Sequence, residues 1–119
     1  MTEPTYTWHK LADSKEALVL NPSGLMEIDV KGTKICLGTF KDQLHACAAK
    51  CPHASGNMAG GYIDALGNIV CPLHRYKFSL EKGRNTSGEG YFLRTYPVKI
   101  TEEGVFVGMK ENIFSKWLK

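Results

Sequence analysis

Apolar and polar residues alternate in short stretches along this chain, and turn-forming residues separate the stretches. Met26, Ile28 and Val30 alternate with Glu27 and Asp29, which predicts a half-buried strand. Lys31-Gly32 reads as a turn, with Thr33 to Phe40 as the partner strand. Lys41-Asp42-Gln43 is a second polar turn, and Leu44 to Ala48 the strand after it. Near the start, Tyr6 and Trp8 alternate with Thr7 and His9, and Asp13 to Leu18 suits a short helical turn. Farther on, Gly60-Gly61 and Gly67-Asn68 frame the short apolar stretches Tyr62-Ile63 and Ile69-Val70. Lys77 to Leu80 reads as a strand, Glu81-Lys82-Gly83 as a turn and Asn85 to Gly90 as a loop. Tyr96 to Ile100 and Val105 to Val107 form a predicted hairpin around Glu102-Glu103-Gly104.

Only the C-terminal stretch Lys110 to Lys119 has helical spacing, through Ile113, Phe114, Trp117 and Leu118. It reads as a capping helix or strand end, with a membrane-surface or partner-docking helix as the alternative. The rest predicts an all-β fold: a sandwich-like base with a smaller unit inserted over about Leu44 to Leu80.

A chain of 119 residues makes one domain, 1–119, with a modest core. Hydrophobic residues at 43% and charged residues at 23% predict a globular protein rather than a disordered one. The net charge of +3 is too small and too dispersed to suggest a nucleic-acid partner. The sequence has no membrane-length apolar run and no signal-type N-terminus, so a cytoplasmic protein without membrane attachment is expected. In that compartment the sequon Asn85-Thr86-Ser87 is a chance match.

The chemistry concentrates in two motifs, Cys51-Pro52-His53 and Cys71-Pro72-Leu73-His74. They supply two thiols and two imidazoles in a fixed order. That set suits a [2Fe–2S] cluster in which two Cys hold one iron and two His the other. Each cysteine is followed by a proline, which fixes φ and stiffens the start of the loop. Two Cys and two His also form a standard structural zinc set, although zinc fingers usually keep their cysteines together and their histidines together. Cys36 and Cys47 read as small hydrophobes in core strands, and His9 and His45 as strand or surface residues without a metal role.

The two motifs resemble the Rieske iron–sulfur family in ligand type, order and spacing. Tyr96-Pro97-Val98-Lys99-Ile100 with Glu103-Gly104-Val105 resembles the closing hairpin of Rieske ferredoxins. The resemblance implies a Rieske-type antiparallel β-sandwich whose inserted subdomain, about 44–80, binds one cluster per chain. It implies Cys51, His53, Cys71 and His74 as ligands, each motif at the tip of a loop between strands. Respiratory members add a disulfide between the loops, and the matching positions here are Gly56 and Leu73. Two further positions depart from the common pattern: Ser55 and Arg75 stand where a glycine is frequent. High-potential members place Ser and Tyr hydroxyls near the sulfurs, and Tyr76 and Phe78 occupy those positions. Tyr76, Ser55, Gly56 and Arg75 are therefore the expected surroundings of the ligands.

These departures predict a potential at the low end of the class, about −150 mV, nearly independent of pH around neutrality. Arg75, beside a ligand, faces either a partner or solvent. The expected function is that of a non-catalytic, monomeric electron carrier, taking one electron at a time from a flavin-dependent reductase to a terminal oxygenase. The alternative is a small Rieske-type subunit of an NAD(P)H nitrite reductase, and a structural zinc domain is the non-redox reading.

Overall fold

The computed structural model describes residues 6–54 and 56–110. The calls on Ser55 and on the apolar spacing beyond Lys110 lie outside these residues. The described residues contain ten strands and two short 3-10 turns, and every strand pairing is antiparallel.

The chain divides into two compact units. Among the described residues, one takes in residues 6–18 and 97–110. Its sheet has the order β1 (Tyr6–Ala12), β10 (Gly104–Lys110), β9 (Val98–Thr101). The helical turn after β1 is a 3-10 turn, Lys15–Ala17. Val105 and Val107 are buried, while Trp8 on β1 is exposed with the Lys99 ammonium 4.3 Å from its ring centroid.

The other unit, Val19–Tyr96, holds two sheets. The first has the order β2 (Leu25–Val30), β3 (Thr33–Phe40), β4 (Gln43–Ala48), β8 (Thr95–Tyr96). Its turns are tight because Lys31, Gly32, Lys41 and Asp42 all adopt positive φ. Two such residues in succession match the twist of the flanking strands. The second sheet runs β5 (Tyr62–Ile63), β6 (Asn68–Val70), β7 (Lys77–Ser79). Its first turn is built on Asp64, whose carboxylate accepts the N–H groups of Leu66 and Asn68 at 2.9 Å each. One core joins these sheets: Leu25, Cys36, Cys47, Met58, Ile69, Phe78, Leu80 and Leu93 are buried with Cys51 and Cys71. Cys36 and Cys47 are register partners on β3 and β4, so the two act as small core residues, as expected.

The predicted strand Tyr96 to Ile100 divides at Pro97. Thr95 and Tyr96 pair with β4, and Val98 onward pairs with β10. A proline has no N–H for a ladder, so one strand cannot continue through it with full pairing. Pro97 instead uses its carbonyl, which accepts from the Gly108 N–H at 2.9 Å.

Candidate functional site

Both motifs lie in loops that close in the same way. The Cys51 N–H donates to the Gly56 carbonyl at 2.9 Å, and the Cys71 N–H donates to the Tyr76 carbonyl, also at 2.9 Å. Each cysteine therefore bonds to the residue five positions on. The first loop leaves β4 and is pinned at its base by the Lys50–Asn57 bridge and by the Met58 N–H on the Ala49 carbonyl. Asn57 ties it further, its side-chain oxygen accepting from the Ala59 N–H and its amide donating to Glu27. The second loop joins β6 to β7. It turns through His74 at φ +60° and Arg75 at φ +58°. Left-handed backbone costs a residue with a Cβ about 1–2 kcal/mol, and Arg75 bears that cost in full view of solvent.

The donors arrive in two pairs. The thiols of Cys51 and Cys71 are both buried and lie near enough for each to influence the other's ionisation. Burial pushes the Cys71 thiol above its usual pKa, and the neighbouring Cys51 adds to this while the Leu73 N–H opposes it. The imidazoles of His53 and His74 meet above the loops, with His53 Nε2 and His74 Nδ1 at 3.3 Å and ring centroids 4.8 Å apart. His74 is exposed, but His53 Nδ1 is buried without a hydrogen-bond partner. A buried ring nitrogen of that kind is what a metal ligand leaves when protein atoms alone surround it. Among the described residues, no three His, Cys, Asp or Glu side chains converge on a single ion.

Gly56 fits this arrangement for a steric reason. A Cβ there would stand 2.9 Å from the Cys71 sulfur and 3.2 Å from Leu73. The sequence-predicted neighbours Gly56, Arg75 and Tyr76 all lie in the two loops. The Tyr76 ring packs on His53 with centroids 4.0 Å apart. Burial raises the Tyr76 phenol pKa, and the nearby Glu89 adds to the effect. Phe78 is wholly buried, and its phenyl ring carries no hydroxyl. His45 lies in β4, and burial holds its pKa below the usual histidine value.

Tyr91 belongs to the site and is missing from the sequence reading. Its ring lies 5.6 Å from His53 and 5.9 Å from Tyr76. A third loop delivers it, and Asn85 holds that loop together. The Asn85 amide donates to the Lys77 carbonyl and to Glu89, and its oxygen accepts from the N–H groups of Glu89 and Gly90. Ser87 fastens the loop to β7 by accepting from the Lys77 N–H at 2.8 Å. The one available signal was an aromatic residue directly after a glycine-rich polar loop.

Soft thiols in one pair, imidazoles in another and an unpartnered buried nitrogen suit a two-metal cluster bound by S and N ligands. Residues 7–97 match the family described as Rieske [2Fe-2S] domain. The ferredoxin component of the alkene monooxygenase system of Xanthobacter autotrophicus (strain ATCC BAA-1158 / Py2) is 28% identical over 86 residues, covering 71% of this chain and 70% of the relative. The ferredoxin subunit of 3-phenylpropionate/cinnamic acid dioxygenase from Escherichia coli (strain K12) is 28% identical over 78 residues, 65% of this chain and 74% of that protein. Among solved structures, the ferredoxin of carbazole 1,9a-dioxygenase from Nocardioides aromaticivorans IC177 superposes with a TM-score of 0.72 at 23% identity, over 88% of this chain and 99% of the other. A protein assigned as an NADH-dependent nitrite reductase small subunit from Mycobacterium tuberculosis gives a TM-score of 0.76 at 20% identity, over 91% of this chain and 99% of that one.

Proposed function

This chain belongs to the Rieske [2Fe-2S] domain family, and from that premise we propose that Cys51, His53, Cys71 and His74 hold its one cluster. It is an electron-transfer protein and not itself a catalyst. In the proposed role it carries electrons singly, at low potential, from a flavin-dependent reductase to a terminal oxygenase. The reading takes residues 1–119 as one Rieske domain, with the cluster-binding part at about 44–80, working as a monomer in the cytoplasm. Among the described residues no helix is long and apolar enough to cross a membrane.

One observation carries the assignment of ligands: two loops closed alike bring thiol to thiol and imidazole to imidazole. The same pairing supports the cluster over a single zinc ion, which would need all four donors around one point. When bound, the cluster supplies a one-electron couple, at higher potential than all-Cys clusters because imidazole is neutral. The protein's own residues do the rest. Burial removes Cys51 and Cys71 from solvent. His53 offers its buried Nδ1, and His74 leaves an exposed ring toward an incoming partner.

The names of the sequence relatives support an oxygenase system. The likeness to the nitrite reductase small subunit is one of fold. Iron and acid-labile sulfide analysis with EPR tests the proposal. Two irons and two sulfides per chain and a Rieske-type signal only on reduction are expected. Stoichiometric zinc without iron after anaerobic purification would refute it.

A further inference from the structure

Glu89 is exposed, yet its carboxylate is held in place. It lies in the loop that delivers Tyr91. Its Oε1 accepts from the Asn85 side-chain amide at 2.9 Å and from the Ser87 hydroxyl. Both donors are themselves fastened to Lys77, the residue after Tyr76. The Asn85 amide also donates to the Lys77 carbonyl at 2.9 Å, and the Ser87 oxygen accepts from the Lys77 N–H at 2.8 Å. The carboxylate is thus a single side chain away from the backbone that follows the second ligand loop, whose closing carbonyl belongs to Tyr76. Asn85 also takes up the Glu89 N–H, so main chain and side chain are both tied. Among the described residues no lysine or arginine forms a salt bridge with Glu89, and the Lys77 ammonium lies 3.7 Å from Asp64 instead. Hydrogen bonds from Ser87 and Asn85 hold the Glu89 carboxyl below its usual pKa, with His53 acting in the same direction, so it is ionised at neutral pH. Its charge reaches the site: after burial, Glu89 does most to raise the phenol of Tyr76, whose ring packs on His53 at 4.0 Å.

We propose that Glu89 is a potential-setting residue, a latched negative charge that opposes the arrival of an electron on the cluster and so lowers the reduction potential. The proposal rests on the electron-carrier reading above. Reduction makes and breaks no bond. The cluster gains one electron and one unit of negative charge, and a fixed carboxylate nearby repels that charge. A glutamate free to swing in solvent would move away from the added charge and lose much of this effect. The bonds from Asn85 and Ser87 deny it that movement. The contribution is separate from that of Phe78. At Phe78 a stabilising hydroxyl is missing, whereas at Glu89 an opposing charge is present.

Protein-film voltammetry of the cluster-loaded protein at two ionic strengths tests this. Glu89→Gln removes the charge but keeps an oxygen that can accept from Asn85 and Ser87. At about 10 mM salt, where screening is weak, it shifts the one-electron equilibrium roughly threefold toward the reduced cluster, the order expected of one charge acting through solvent. At about 1 M salt, where the Debye length falls to about 3 Å, most of the shift disappears. Glu89→Lys reverses the charge and raises the potential about twice as far on the logarithmic scale, so the proposal stays testable if the Gln variant fails to fold. Glu81→Gln makes the same change in net charge at an exposed residue beyond the other end of β7 and moves the potential less. Wild-type potentials in both Glu89 variants overturn the proposal. So does an equal rise in Glu81→Gln, which signals net charge alone, or a rise that about 1 M salt leaves undiminished, which signals a rearranged loop. A wild-type protein that loads no cluster overturns the carrier reading as well, and shows it before any potential is measured.

Discussion

His53 Nε2 and His74 Nδ1 lie 3.3 Å apart, although 21 positions separate the residues in the chain. No strand pairing joins them directly. Their meeting follows from two loops of matched size, each closed by the N–H of its own cysteine. Backbone bonds thus set the spacing of the imidazoles, and the donors stand ready on opposite loops.

Replacing one donor tests its role through the potential. The wild-type value is expected at about −150 mV, the low end of the Rieske range. His74→Cys puts a thiolate in place of a neutral imidazole and lowers the potential further wherever a cluster still assembles. Cys71→Ser removes a soft ligand and loses most of the cluster. Protein-film voltammetry and the visible spectrum measure both, and unchanged values in both variants would mean the donors are misassigned.

Gly56→Ala introduces a Cβ 2.9 Å from the Cys71 sulfur. Either the sulfur or the Leu73 side chain must give way, and overpacking of this kind costs about 1–3 kcal/mol. Lower iron content per chain and a lower melting temperature are expected. Full cluster loading at wild-type stability would show that the loops adjust freely.

Arg75→Gly should act in the opposite direction. Arg75 holds φ at +58° and is exposed, so its side chain forfeits little by removal. Glycine adopts that conformation without steric cost, and a gain of about 0.5–1 kcal/mol is expected after glycine's own entropy loss. Thermal unfolding measures it, and a destabilised variant would show that Arg75 makes stabilising contacts that outweigh the strain.

Asp64 sets an acid limit on stability. Burial alone would raise its pKa, but the Asn68 N–H and side-chain amide, the Leu66 N–H and the Lys77 charge together hold it below 3.8. A carboxyl with a depressed folded-state pKa stabilises fully above its unfolded value and loses that contribution as pH falls through the folded one. Asp64→Asn should therefore melt lower than wild type at neutral pH, with the gap closing below about pH 3.8. Melting curves across pH measure this, and a gap that persists undiminished in strong acid would exclude the carboxylate as its source.

The turns and the donors were legible because each depends on residues adjacent in sequence. Lys31-Gly32 and Lys41-Asp42 place β2, β3 and β4 in register, since a two-residue turn with positive φ dictates the pairing on both sides. Cys-Pro with a nearby His marked both loops. Tyr91 was not legible, because its place against His53 depends on how Asn85 folds a separate loop back onto β7. The left-handed turn at Arg75 was hidden for a different reason: arginine gives no local sign that the backbone must turn there. Pro97 was visible, yet a continuous apolar run from Tyr96 to Ile100 concealed that it hands the chain from one sheet to another.

The closure of each loop on its own cysteine N–H also bears on what the loops can tolerate. The Cys51–Gly56 and Cys71–Tyr76 bonds join backbone groups alone. Exchanging the side chain at position 76 leaves its carbonyl in place, so the surroundings of the donors can vary without removing the bond that closes the loop.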